Sequence, residues 1–139
     1  MKTSYTITFV IAALFIAGLA DWYVFLNRGE KQTSADAVEN AAMESAKNIA
    51  EAWIKEKSPT FLFDGFDLAF GEAKSGECPE CFDVVFSFAS RHGGYGNREG
   101  LLVTQVITQH AVIVAVENGV VTRVLTDGKY SEMTGAFIQ

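Results

Sequence analysis

Residues 104–128 read TQVITQHAVIVAVENGVVTRVLTDG. Two β-branched runs flank Asn118-Gly119. That dipeptide suits a two-residue hairpin turn, because both central positions of such a turn need positive φ. A tight turn also fixes which residues face each other. Glu117 is expected opposite Val120, Val116 opposite Val121, Val114 opposite Arg123, Val112 opposite Leu125 and His110 opposite Asp127. The face carrying Val112, Val114, Val116, Val121 and Leu125 has the greater apolar volume and is read as the core face. Arg123 is awkward there, and its stem would have to pack while its head reaches water. The opposite face carries Ala111, Ile113, Ala115, Val120, Thr122 and Val124.

Upstream, FDVVFSFAS (82–90) alternates cleanly, with Phe82, Val84, Phe86 and Phe88 on one face and Asp83 and Ser87 on the other. TFLFDGFDLAF (60–70) carries a strand signal broken by the turn-forming pair Asp64-Gly65. Before it the period lengthens. Val38, Ala42, Ala46, Ile49 and Trp53 share one face of a helix, with Glu39, Glu44, Lys47, Glu51 and Lys55 off that face. Ser34 or Asp36 can cap its start. Ser58-Pro59 ends it, since the residue before proline is pushed out of helical geometry. Trp53 is read as a core anchor. The expected class is α+β: one N-terminal helix packed on a curled antiparallel sheet of about four strands.

Residues 7–26, ITFVIAALFIAGLADWYVFL, are interrupted only by Asp21. A bilayer needs about 20 apolar residues, so the run suits a transmembrane helix, with Trp22 and Tyr23 at the interface. The competing reading is a signal peptide cut before Asp21, with Gly18 and Ala20 at the small-residue positions. The anchor is preferred, because a chain starting at Asp21 would expose an apolar tail. This gives three segments: an anchor over 1–28, a linker over 29–33 and an extracytoplasmic domain over 34–139. The formal charge of −6 and the absence of a basic stripe argue against nucleic acid. They also argue against peripheral binding to an anionic membrane surface.

The stretches SPTFLFDG, CPEC, RHGGYGNREG, TQH, ENGVV and TDGK resemble a family of small extracytoplasmic α+β domains with one N-terminal membrane segment. The order helix, hairpin, hairpin also resembles cystatin-like and PepSY-like layouts. The resemblance implies location and fold and brings no activity with it. A cystatin-like inhibitor would show a Gln-x-Val-x-Gly tip and a later Pro-Trp. Here QVITQ (105–109) lacks the glycine and falls in a strand, and Trp53 falls in the helix.

Cys78 and Cys81 are the only cysteines. Outside the cytoplasm they suit a disulfide. A redox pair is a second reading, although Glu77, Glu80 and Asp83 would raise the thiol pKa. A metal site with His92 and His110 is a third. His110 is expected to hydrogen-bond Asp127 across the hairpin. Catalysis by that pair lacks a nucleophile, since nothing in the sequence places a Ser or Cys beside it.

The remaining candidate is SRHGGYGNREG (90–100). Gly93, Gly94, Gly96 and Gly100 make its backbone permissive. Arg91, His92, Tyr95 and Arg98 are expected to form an exposed, mobile site for a protein partner or a small anionic ligand. The glycine spacing fits no dinucleotide fingerprint, and no P-loop lysine follows, so no cofactor is expected. The main functional expectation is a non-catalytic, membrane-anchored interaction domain. A thiol-redox or metal-binding protein and a cystatin-like inhibitor are the alternatives.

Overall fold

The computed structural model describes residues 34–138. The expected anchor and linker lie outside the described residues. Among the described residues, no helix is long and apolar enough to cross a membrane.

Helix α1 (Ser34–Lys57) leads into a short helix α2 (Pro59–Asp64). Then come β1 (Gly65–Ser75), β2 (Cys81–Ser90), β3 (Thr108–Glu117), β4 (Val120–Thr126), β5 (Tyr130–Ser131) and β6 (Ala136–Phe137). The strands pair in sequence order as one antiparallel six-stranded sheet. The fold is therefore α+β with a helix packed on an antiparallel sheet, as expected. Four strands are long, and two further strands of two residues each extend the edge.

The core forms where two periodicities meet. Phe82, Val84, Phe86 and Phe88 of β2 point inward, as do Val112, Val114 and Val116 of β3 and Val124 of β4. From α1, Ala46, Ala50 and Ile54 meet them. Steps of four put these three on one stripe. The buried stripe differs slightly from the expected face. Val38 is exposed, and Ala42, Ile49 and Trp53 pack only partly against the core.

Two expectations are corrected. Residues 60–63 do not begin a strand. Ser58, read as a helix stop, is also a start: its Oγ accepts from the Phe61 N–H at 3.3 Å, and Pro59 takes the first helical position. The strand begins only at Gly65.

The second correction concerns register. The Asn118-Gly119 turn has φ 50° and 75°, and Glu117↔Val120 and Val116↔Val121 pair as read. A bulge follows, and Ala115 pairs with Arg123, Val114 with Val124, and Val112 with Thr126. Thr122 is the extra residue, its hydroxyl donating to Glu117 at 3.0 Å. The slip turns every later side chain over. Arg123 moves outward to Asp83, 3.4 Å away. Val124 enters the core, and Leu125 lands on the outer face opposite Ile113. His110 therefore does not pair with Asp127 along the ladder.

The bulge makes a sharp prediction. Val124→Asp should cost roughly 3 kcal/mol or more, because it buries an unpaired charge. Arg123→Ala should stay within about 0.5 kcal/mol, as an ordinary surface change. Urea unfolding midpoints measure both, and the straight hairpin register would reverse the order.

Candidate functional site

The β2–β3 connection over residues 91–107 holds all four predicted site residues. The structure anchors its first part on two carboxylates. Asp64, at the end of α2, accepts from Arg98 Nη2 at 2.5 Å and pairs with His92 Nδ1 at 2.7 Å. Arg98 Nη1 also donates to the Gly94 carbonyl at 2.5 Å, and its guanidinium lies over Phe63 at 4.7 Å. Arg98 is only 3% exposed. It is a structural cation inside the loop, not the exposed site residue expected. Its Nε has no hydrogen-bond partner, which costs on the order of 1–3 kcal/mol that the paired nitrogens must offset.

Asp127 is the second anchor. Its carboxylate takes the Tyr95 hydroxyl at 2.7 Å, His110 Nδ1 at 2.8 Å and the Ala111 N–H at 2.8 Å. The expected contact between His110 and Asp127 is thus made, although Asp127 is the neighbour of Ala111 through its N–H to the Ala111 carbonyl. His110 is buried in the middle of the sheet. Burial pulls the Asp127 pKa upward, but the hydrogen bonds from Ala111, His110 and Tyr95 outweigh it and hold the pKa below its ordinary value. Burial, and then the Asp127 carboxylate, push Tyr95 up to about 12.

Tyr95 is half-buried, not free. Its ring stacks on Tyr130 with centroids 5.1 Å apart, and Phe137 and His110 meet it edge-on. The turn carrying it needs Gly96, whose φ is 70° and whose N–H donates to Thr60 Oγ1 at 2.7 Å. A Cβ there would collide with the Tyr130 hydroxyl. Of the four predicted residues, Arg91 alone is classed as exposed, with its guanidinium over Phe66 at 5.2 Å.

Sequence reasoning missed Ser90. Its Oγ lies 3.1 Å from His110 Nε2. Ser90, His110 and Asp127 thus stand in the order of a hydrolytic triad. The arrangement is closed, because Ser90 is 0% exposed and its hydroxyl donates to the His92 carbonyl at 2.7 Å. A nucleophile must reach substrate, and this one braces the loop instead. A further carboxylate works the same way. Buried Glu132 accepts from Ser58 Oγ, the Thr60 N–H and Thr126 Oγ1 at 3.0, 3.1 and 2.6 Å.

The second part of the loop is different. Leu101, Leu102, Val106 and Ile107 are 65%, 107%, 55% and 66% exposed. No other stretch of this length among the described residues exposes as many large apolar side chains. At the other end of β2, Cys78 and Cys81 lie at disulfide distance, with Cα atoms 5.1 Å apart. Cys81 pairs with Glu117, whereas His110 pairs with Phe88. The strand therefore separates the cysteines from His92 and His110, and the four do not come together as a metal site. Comparison with protein-family models, with curated proteins and with solved structures gave no match.

Tyr95 and Asp127 predict opposite pH behaviour. The Tyr95 pKa is raised, so its stabilisation is present below pH 10 and is lost as pH climbs towards about 12. The Asp127 pKa is lowered, so its stabilisation is present above the ordinary carboxylate range and is lost as pH falls through the depressed value. Melting temperature against pH should show both slopes. Tyr95→Phe should flatten the alkaline slope and Asp127→Asn the acid one.

Proposed function

We propose that this chain is a membrane-anchored, extracytoplasmic, non-catalytic interaction domain that offers the 101–107 segment to a protein partner. One observation carries the reading. A rigidly braced loop base holds out four aliphatic side chains that the domain itself leaves in water. Exposed apolar clusters of this kind mark interaction sites. Residues 7–26 support the anchor, being long and apolar enough to span. The cysteine pair at disulfide distance supports an oxidising compartment.

A protein partner fits better than a lipid surface. The chain is acidic overall, with a net charge of −6, which disfavours anionic bilayers. The segment joins β2 to β3 at one end of the sheet. The early part of α1 meets the far end of the sheet, where Ser75 Oγ donates to Glu39 at 2.8 Å. The loop sits at the end where α1 gives way to α2, since Gly96 meets Thr60.

The test uses the full-length chain in its membrane, with a photo-crosslinking residue at Leu102. The expected result is one discrete adduct with another protein, lost when Leu101, Val106 and Ile107 become serine while the melting temperature holds. Lipid adducts, self-adducts only, or an adduct indifferent to the serines would overturn the reading. Membrane retention through carbonate extraction is also expected, and recovery of a chain beginning at Asp21 would refute the anchor.

A further inference from the structure

The β1–β2 turn at the opposite end of the sheet is closed twice. Backbone bonds close it once. The Gly76 N–H donates to the Cys81 carbonyl at 2.6 Å, and the Cys81 N–H donates to the Cys78 carbonyl at 3.1 Å. The Glu80 carbonyl accepts the Asn118 N–H at 3.0 Å, tying this turn to the β3–β4 hairpin. The sulfurs close it a second time. A bridge between residues only three apart removes little freedom from the unfolded chain, because the gain grows with the logarithm of loop length. Folding therefore has little use for the bond.

Access points the same way. Cys78 is exposed and Cys81 half-buried, and both line an open cleft of about 690 Å³. Glu77, Asp83 and Glu117 also line it, against one cation, Arg123, which already pairs with Asp83. The cleft is thus a negatively charged approach to an exposed sulfur.

We propose that Cys78 and Cys81 form a reversible dithiol–disulfide pair that exchanges preferentially with cationic thiols and cycles without unfolding the domain. An incoming thiolate attacks Cys78 Sγ. The bond between the two protein sulfurs breaks, a mixed disulfide forms, and the electron pair leaves on Cys81 Sγ. A second thiolate attacks the external sulfur of the mixed disulfide, releasing Cys78 as thiolate and the external disulfide as product. Two external thiols are oxidised and the protein pair is reduced by two electrons. The two thiol protons end on the protein sulfurs through solvent. A negative cleft concentrates cationic reactants and repels anionic ones. The thiols that fit are therefore small aminothiols or a thiol set in a basic protein surface.

The test treats the folded full-length protein in detergent with cysteamine, 2-mercaptoethanol or mercaptoacetate, and follows free thiols by alkylation and mass spectrometry. Rates are referred to those of each thiol with a neutral model disulfide. Cysteamine should react on the order of tenfold faster than mercaptoacetate at low salt, and the gap should shrink in high salt. The reduced protein should keep its circular dichroism and re-form the bond with the disulfide cystamine, which runs the same exchange backwards and releases two cysteamine thiols. The Cys78→Ser/Cys81→Ser variant should fold with a melting temperature within about 5 °C of the parent. A bond that resists millimolar thiol in the folded state, equal rates for the three thiols, or unfolding on reduction or in the double variant would each overturn the proposal. A lysine- and arginine-rich peptide with a single cysteine distinguishes protein thiols from free aminothiols: faster exchange with it than with cysteamine assigns the protein source, and the reverse assigns the small molecule.

Discussion

The Asp127 carboxylate is the point on which the loop end of this domain depends. It accepts from a β3 backbone N–H, from a buried imidazole and from a loop tyrosine. Two of those donors are neighbours on β3, and the third comes from the loop that precedes it. Asp127 itself has φ 52°, the left-handed region that Asp tolerates better than most residues. The chain bends there because β4 must hand over to β5 while the carboxylate turns back to the sheet. Removing the carboxylate would leave the buried His110 without this partner, which costs more than the net worth of one bond.

Asp64 repeats the device on the other side of the loop, with Arg98 and His92. Breaking a buried charge pair typically costs about 3–5 kcal/mol, so the loop base is held nearly all-or-none. This explains a composition that otherwise resembles an open binding loop. The glycines let the backbone pass close to Tyr130 and Thr104, and Arg98 faces inward. The polar residues are the framework, and the apolar residues that follow them are the exposed part. Ordinary expectation assigns these roles the other way round.

The core was legible because it is periodic. Alternation over 82–88 and 112–116 names most of the sheet's buried side chains without any structure, whereas of the expected helix face only Ala46 is fully buried. What failed is local geometry that periodicity does not encode. The Thr122 bulge leaves no signature beyond a threonine able to reach Glu117, yet it exchanges Val124 for Leu125 in the core. Thr60 to Phe63 are apolar and aromatic enough for a strand, and only the reading of Ser58-Pro59 as cap and first turn distinguishes a helix. Ser90 lies on the same inward face as Phe86 and Phe88, but a long connection separates β2 from β3. Nothing in the sequence fixes that register, so its approach to His110 could not be read.

The polar end of the core also settles where the helix sits. Packing of Ala46, Ala50 and Ile54 on a valine-rich sheet is non-directional, and a shift by one helical turn would bury similar area. Directional bonds remove that freedom. Ser58, immediately after α1, donates to Glu132, which also takes Thr126 from β4 and the Thr60 N–H from α2. All four residues are 3% exposed or less. A shift of the helix along the sheet would strand a buried carboxylate and two hydroxyls together. The apolar half of the core therefore supplies most of the burial, while the polar half selects one arrangement among several of similar area. That selected arrangement brings Thr60 under Gly96, so the placement of α1 and the shape of the displayed loop are fixed by the same set of bonds.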